Sequence, residues 1–227
     1  MNAWSWGRVL GVLLVYAPAG LATEKALAPD LSGISDPTYW NIVNAEASTA
    51  IEHGRSVVHL KPKAKTSAPS NIGLALVQGL EFAEGIVELD LRGKGKSEAS
   101  FLGVAFHVGD GNTFEAVYFR PFNFTRKDEL HRAHGVQYVA WPDHTWERLR
   151  KGQPGRYEAA VTPVPDPTGW FRARIEITKP KVRVWVDEAK DPCLVVDRLA
   201  SREKGMVGLW VDSKEGAFRD LRIVPVK

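Results

Sequence analysis

Apolar and polar residues alternate in short runs along most of the chain. Val87, Leu89 and Leu91 leave an extended backbone on one side and Glu88, Asp90 and Arg92 on the other, because side chains two apart share a strand face. The pattern returns as Leu102, Val104, Phe106 and Val108 against Phe101, Gly103, Ala105 and His107, and as Val117 and Phe119 against Tyr118 and Arg120. It returns again as Phe171, Ala173, Ile175 and Ile177 against Trp170, Arg172, Arg174 and Glu176, then as Val182, Val184 and Val186 against Arg183 and Trp185. Further extended segments are predicted at 39–43, 56–60, 72–77, 136–140, 157–161, 193–196, 206–211 and 218–226. Gly109-Asp110-Gly111-Asn112 signals a hairpin. Only Trp146 to Arg150 suggests a turn or two of helix. So many strands with almost no 3.6-residue period predict an all-β antiparallel sandwich or barrel. The Pro-rich stretch 162–168 lies inside this pattern and reads as a loop, so a single domain is expected. Each strand offers one apolar row for a core, while the opposite row mixes charges with aromatics. That second row suits either a ligand-binding face or a face covered by loops.

Composition sharpens this picture. The 227 residues are 44% hydrophobic and 25% charged, as in a globular protein. Val9 to Tyr16 is apolar and is followed by Ala17-Pro18-Ala19-Gly20-Leu21-Ala22, small residues that suit a signal peptidase. Residues 1–22 are therefore expected to be a signal peptide, too short for a membrane span. Residues 23–36 would form a polar lead, and 37–227 the folded domain. Cys193 is the only cysteine, so no disulfide can form within the chain. A secreted protein without disulfides suits a bacterial periplasm or exterior. The net charge of +3 is interspersed, with no basic stripe for nucleic acid.

Chemistry is less plainly marked. Sugars present apolar C–H faces and fans of hydroxyls, which call for aromatic platforms and planar donors. Tyr118, Arg120, Asn123, Gln137, Tyr138, Trp146 and Trp170 offer such groups, and Tyr118 to Phe124 concentrates them at a strand end. The alternative for Arg120 and Asn123 is to brace a loop by bonding its carbonyls. For Trp146, with Arg150, it is to anchor the long irregular stretch 141–155. His107 and Glu176 stand on mixed faces, with no sign of convergence. His131-Arg132-Ala133-His134, with His144, has no zinc-ligand spacing and reads as a surface loop. Asp110-Gly111-Asn112 could turn oxygens towards Ca²⁺ but lacks the distal Glu of a calcium loop, so no metal or other cofactor is indicated.

Several segments together carry a family resemblance: GIVELDLRG at 85–93, SFLGVAFH at 100–107, VYFRPFNF at 117–124, GVQY at 135–138 and GMVGLWV at 205–211. On these the chain resembles the concanavalin A-like (laminin-G-like, glucanase-type) jelly-roll sandwiches. More narrowly, it resembles secreted bacterial proteins related to the 3-keto-disaccharide hydrolase domain family. The resemblance spans residues 37–226 and implies a jelly-roll β-sandwich. It leaves function open, because one fold hosts lectins, hydrolases and adhesive modules. Family 16 glycoside hydrolases of this superfamily place their carboxylates on a Glu-x-Asp-x-Glu strand. Glu88 and Asp90 match its first two positions and become the catalytic candidates. Arg92 occupies the third, and a guanidinium cannot serve as a general acid. The first expectation is therefore a secreted lectin-like module that binds carbohydrate, or another extended polar ligand. Its contacts would come from Arg92, His107, Tyr118, Arg120, Asn123, Gln137, Tyr138, Trp146 and Trp170. The alternatives are a glycoside hydrolase using Glu88 or Asp90, and a laminin-G-like protein-interaction module of the cell envelope.

Overall fold

The computed structural model describes residues 25–63, 71–94 and 100–226. The expected leader lies outside them. Fourteen strands build two seven-stranded antiparallel sheets. Sheet I runs in the order β1 (Trp40–Val43), β4 (Ile72–Val77), β13 (Met206–Asp212), β6 (Phe101–Asp110), β7 (Thr113–Phe119), β8 (Val136–Trp141), β9 (Glu158–Ala159). Sheet II runs β12 (Leu194–Asp197), β11 (Lys181–Val186), β10 (Phe171–Ile177), β5 (Glu84–Arg92), β14 (Gly216–Val226), β3 (Arg55–Pro62), β2 (Ala45–Glu52). The architecture is the jelly-roll β-sandwich.

Sheet II behaves as its alternation implies. Buried and half-buried residues alternate along β5, β10 and β11, so only one face is in the core. Val87, Leu89 and Leu91 are fully buried there beside Phe171, Ala173 and Ile175. The Phe119 ring of β7 meets Phe171 across the sandwich at 5.2 Å, edge to face.

Sheet I differs. Long consecutive stretches of β4, β6, β7, β8 and β13 are buried, so both of its faces are covered. The chain between β7 and β9 accounts for much of this. It carries two short helices, α1 (Glu129–Arg132) and α2 (Trp146–Gly152), and buries Phe124, Leu149 and Tyr157.

Three features depart from the sequence expectation. β2, with its sequence AEASTAIE, has half of its residues exposed and no wholly apolar row, and it forms because its backbone pairs along all of β3 at the sheet edge. The short helix α1 runs into the stretch 131–134 taken as loop. The lead is not detached either: Leu27 bridges Ile223, and Leu31 and Ile34 are buried in the core. Packed structure therefore begins ahead of residue 37.

Since Leu89 is fully buried at the centre of sheet II, Leu89→Ala should cost about 2–5 kcal/mol in urea unfolding. Val195→Ala, on an exposed side chain of the edge strand β12, should change stability by less than about 0.5 kcal/mol.

Candidate functional site

The strand register sets one row of side chains across the outer face of sheet I. Leu74 pairs with Trp210, Trp210 with Gly103, Gly103 with Tyr118, Tyr118 with Gln137 and Gln137 with Glu158. Gly103 is what lets this row close. A Cβ there would stand 2.0 Å from the Val117 carbonyl oxygen, and without one the rings of Tyr118 and Trp210 stack over it at 4.6 Å. Burial pushes the Tyr118 hydroxyl up to about 12, so it stays protonated.

The polar end of this row forms the floor of a cavity of about 960 Å³. Phe101, Tyr118, Arg120 and Glu158 line it from the sheet, Trp146 and Arg150 from α2, His134 from the turn before β8, and Asp212 from the end of β13. Arg120 ends β7, where its N–H donates to the Gly135 carbonyl and Pro121 opens a 3₁₀ turn. Its guanidinium donates to Tyr118 Oη at 2.8 Å, the His134 carbonyl at 3.0 Å and Gln137 Oε1 at 3.4 Å. It lies over the Phe101 and Tyr118 rings, 5.6 and 4.9 Å from their centroids. Gln137 is held in turn, because its amide donates to the carbonyls of Tyr138 and Tyr157. Asn123 donates to the same His134 carbonyl at 3.3 Å. Arg120 and Asn123 thus brace the loop and line the cavity at once.

Glu158 is buried and clasped by Arg150, whose Nε and Nη2 donate at 3.1 and 2.7 Å. The Arg150 guanidinium also stacks on Trp146, which is 39% exposed at the mouth. His134 Nε2 stands 3.3 Å from Glu158. Burial lowers the His134 pKa; Glu158 opposes this, while Arg150 and Arg120 add to it. Burial raises that of Asp212, with Glu147 adding to the effect and the Ser213 hydrogen bonds opposing it. The cavity therefore brings together an imidazole biased to neutral and a carboxyl biased to its acid form.

Four of the residues picked from sequence, Tyr118, Arg120, Asn123 and Trp146, line this cavity, and Gln137 supports it from below. The others lie elsewhere. Glu88, Asp90, Arg92 and Trp170 belong to the outer face of sheet II. There Glu88 meets Arg172 at 3.3 Å, Arg174 at 3.8 Å and Arg222 at 3.0 Å, and Asp90 meets Arg172 and Arg219 at 3.1 Å. Each of the four carboxylate oxygens has an arginine partner, which makes the pair an ion-paired face rather than an acid and nucleophile over a groove. Arg92 pairs with Glu52 and covers Trp170, which Arg219 also covers.

His107 and Tyr138 are fully buried and closed to any ligand of sugar size. They surround Glu115, which sits in the inward row with Val117 and Phe119. Tyr138 donates to Glu115 at 2.6 Å, Arg198 at 2.6 and 3.1 Å, and His107 Nδ1 lies 2.9 Å away. Arg198 comes from the segment after β12, so the cluster ties that segment to sheet I.

His134 corrects the reading of 131–134 as a surface loop, and Arg150, Glu158 and Asp212 were not singled out as ligand contacts. Nothing in a single sequence gives the register that sets Glu158 beside Gln137. Glu115 did carry a signal, as the one charge in an otherwise apolar strand row.

A model of the 3-keto-α-glucoside-1,2-lyase-like domain matches residues 30–224. The chain belongs to this family. No curated protein sequence matches it. Among solved structures, this 3-keto-α-glucoside-1,2-lyase-like domain is similar to the carbohydrate-binding module CBM66 of Bacillus subtilis, with 12% identity and a TM-score of 0.56, covering 83% of this chain and 97% of that one. It is also similar to a Bacillus subtilis protein of unknown function with a galectin-like fold, with 15% identity and a TM-score of 0.55, covering 91% and 98%. A third is the Bacillus licheniformis β-glucanase, with 10% identity and a TM-score of 0.53, covering 93% and 100%. At these identities the likeness is one of fold.

The Glu115 cluster gives this domain an acid-sensitive joint. Burial alone would raise the Glu115 pKa, but the hydrogen bonds from His107, Arg198 and Tyr138 outweigh it and hold the group below its ordinary 4.5. A depressed carboxylate stabilises the fold fully above 4.5, and this is lost as pH falls through the lowered value. In urea titrations across pH, Glu115→Gln should therefore flatten the acid limb. It should also cost about 3–5 kcal/mol at pH 7, because Arg198 loses its buried partner.

Proposed function

We propose that the chain is a carbohydrate-active protein that holds a sugar ring in the cavity on the outer face of sheet I. The observation that carries this is the partly exposed Trp146 on the rim of a space of small-molecule size whose lining also carries the planar donors Arg120 and Arg150, the latter stacked on one side of its ring. Trp146 supplies an apolar platform for C–H faces. Arg120 and Asn123 supply donors already fixed by the loop, so binding orders little that was free. A secreted or periplasmic location, expected from the leader, is part of the same proposal.

A second reading adds chemistry and is favoured by the opposed biases of His134 and Asp212 together with family membership. The family is named for a lyase acting on 3-keto-α-glucosides. A carbonyl at C3 acidifies the C2 hydrogen. Removal of that proton and departure of the C1 oxygen then cleave the glycosidic bond by elimination. Such a reaction asks for a base, an acid and a site for developing negative charge, and not for the paired nucleophile and acid of a family 16 strand. An imidazole whose pKa is lowered and a carboxyl whose pKa is raised are shifted in the directions that suit the first two tasks.

Calorimetric titration with methyl α-glucoside, its 3-keto derivative and a panel of oligosaccharides tests the proposal. Binding should weaken by about 3–10-fold in Trp146→Ala, the loss expected for one aromatic platform. It should be unchanged in Glu88→Gln, which alters only the outer face of sheet II. No binding across the panel, or equal loss in both variants, would remove the cavity from the function.

A further inference from the structure

Among the described residues, two arginine side chains are only 6% exposed, Arg120 and Arg198, and their surroundings differ in kind. Arg198 is met directly by Glu115 at 2.6 Å and donates also to the Arg202 carbonyl. Every hydrogen bond of Arg120 goes to a neutral oxygen: a phenol, a peptide carbonyl and an amide. The nearest carboxylate, Glu158, is 4.0 Å away and already holds two hydrogen bonds from Arg150. Burying a guanidinium is costly unless its charge is met. Here two aromatic rings and three neutral acceptors fix its plane, and its nearest carboxylate stands off at 4.0 Å and is shared with Arg150, on the wall of a cavity. A preorganised cation of this kind stabilises an oxygen that gains negative charge during a reaction more than one that is neutral throughout.

We propose that Arg120 is a catalytic residue that binds the carbonyl oxygen of an oxidised sugar ring and stabilises the enolate formed when the neighbouring ring C–H is deprotonated. This rests on the cleavage reading above. In the step, a side chain of the cavity takes the proton from C2. The C–H electron pair forms the C2=C3 bond, and the carbonyl electrons move to the oxygen facing Arg120. The enolate then reforms the carbonyl, its pair makes C1=C2, and the C1–O bond breaks. The leaving oxygen takes a proton from the cavity, so no oxidant or reductant enters.

The test uses the full chain with methyl 3-keto-α-glucoside and follows turnover, binding, and exchange of the C2 hydrogen with D₂O by NMR. Arg120→Gln should slow both exchange and turnover by about 10²–10³-fold, the loss typical of one oxyanion donor, and weaken binding by less than 10-fold. Arg120→Lys, which keeps the charge without the planar fork, should recover part of the rate. Thermal melting shows whether each variant is folded. If neither folds, the wild-type arginine side-chain ¹H–¹⁵N spectrum decides: one guanidinium signal protected from solvent should shift when the ketoglycoside is added, and no shift overturns the proposal. If the wild type binds and turns over but Arg120→Gln loses less than 5-fold, or loses binding and rate equally, the role of Arg120 is refuted and the cleavage reading stands. If the wild type neither exchanges C2 nor cleaves, the cleavage reading fails and takes this inference with it.

Discussion

Sheet I is buried on both faces, and the rest of the molecule follows from how that double burial is achieved. One face meets sheet II through rows such as Val104, Val117 and Phe119. The other is roofed by the chain's own excursion from the end of β7 to β9. A roof made of loop must satisfy its backbone groups internally. Arg120, Asn123 and Gln137 do much of this, each donating to backbone carbonyls of the excursion or of β8. Where the roof stops short, the cavity opens. Bracing the roof and lining the cavity are therefore two uses of the same side chains, which is why these polar groups are held in place by the fold itself.

The same economy separates the two buried polar centres. Around Glu115 the Arg198 guanidinium meets the carboxylate directly, which makes the cluster a fastener between sheet I and the segment after β12. Around Arg120 the nearest carboxylate, Glu158, stands 4.0 Å away and is shared with Arg150. A centre of directly met charges contributes to the stability of the fold, whereas a partly met one on the wall of an open cavity is disposed to act on something that enters.

On sheet II the outer face carries as much charge, yet with another consequence. Its carboxylates and guanidinia alternate on neighbouring strands: Arg172 lies between Glu88 and Asp90, and Arg174 between Glu88 and Glu176. Trp170 lies under the guanidinium planes of Arg92 and Arg219, and Trp185 under that of Arg174. Half-exposed pairs of this kind contribute little individually, and their network keeps a broad strand surface polar.

The period-two rows of β5, β6, β7, β10 and β11 determined the strands, their inward faces and hence the sandwich, because alternation is a property of the single strand. β2 escaped this reading, since its pairing with β3 is a backbone matter that its side chains do not advertise. The aromatic and planar residues at 118–123 mark a strand end that borders the cavity, for local chemistry is also written locally. Only the tertiary structure decided that Glu158, Asp212, His134 and Arg150 join them, that Trp170 faces away on the other sheet, and that His107 and Tyr138 are sealed around Glu115. Register between strands and the path of the roofing loop set which side chains converge, and both arise from contacts between residues far apart in the chain, which no run of neighbouring residues encodes.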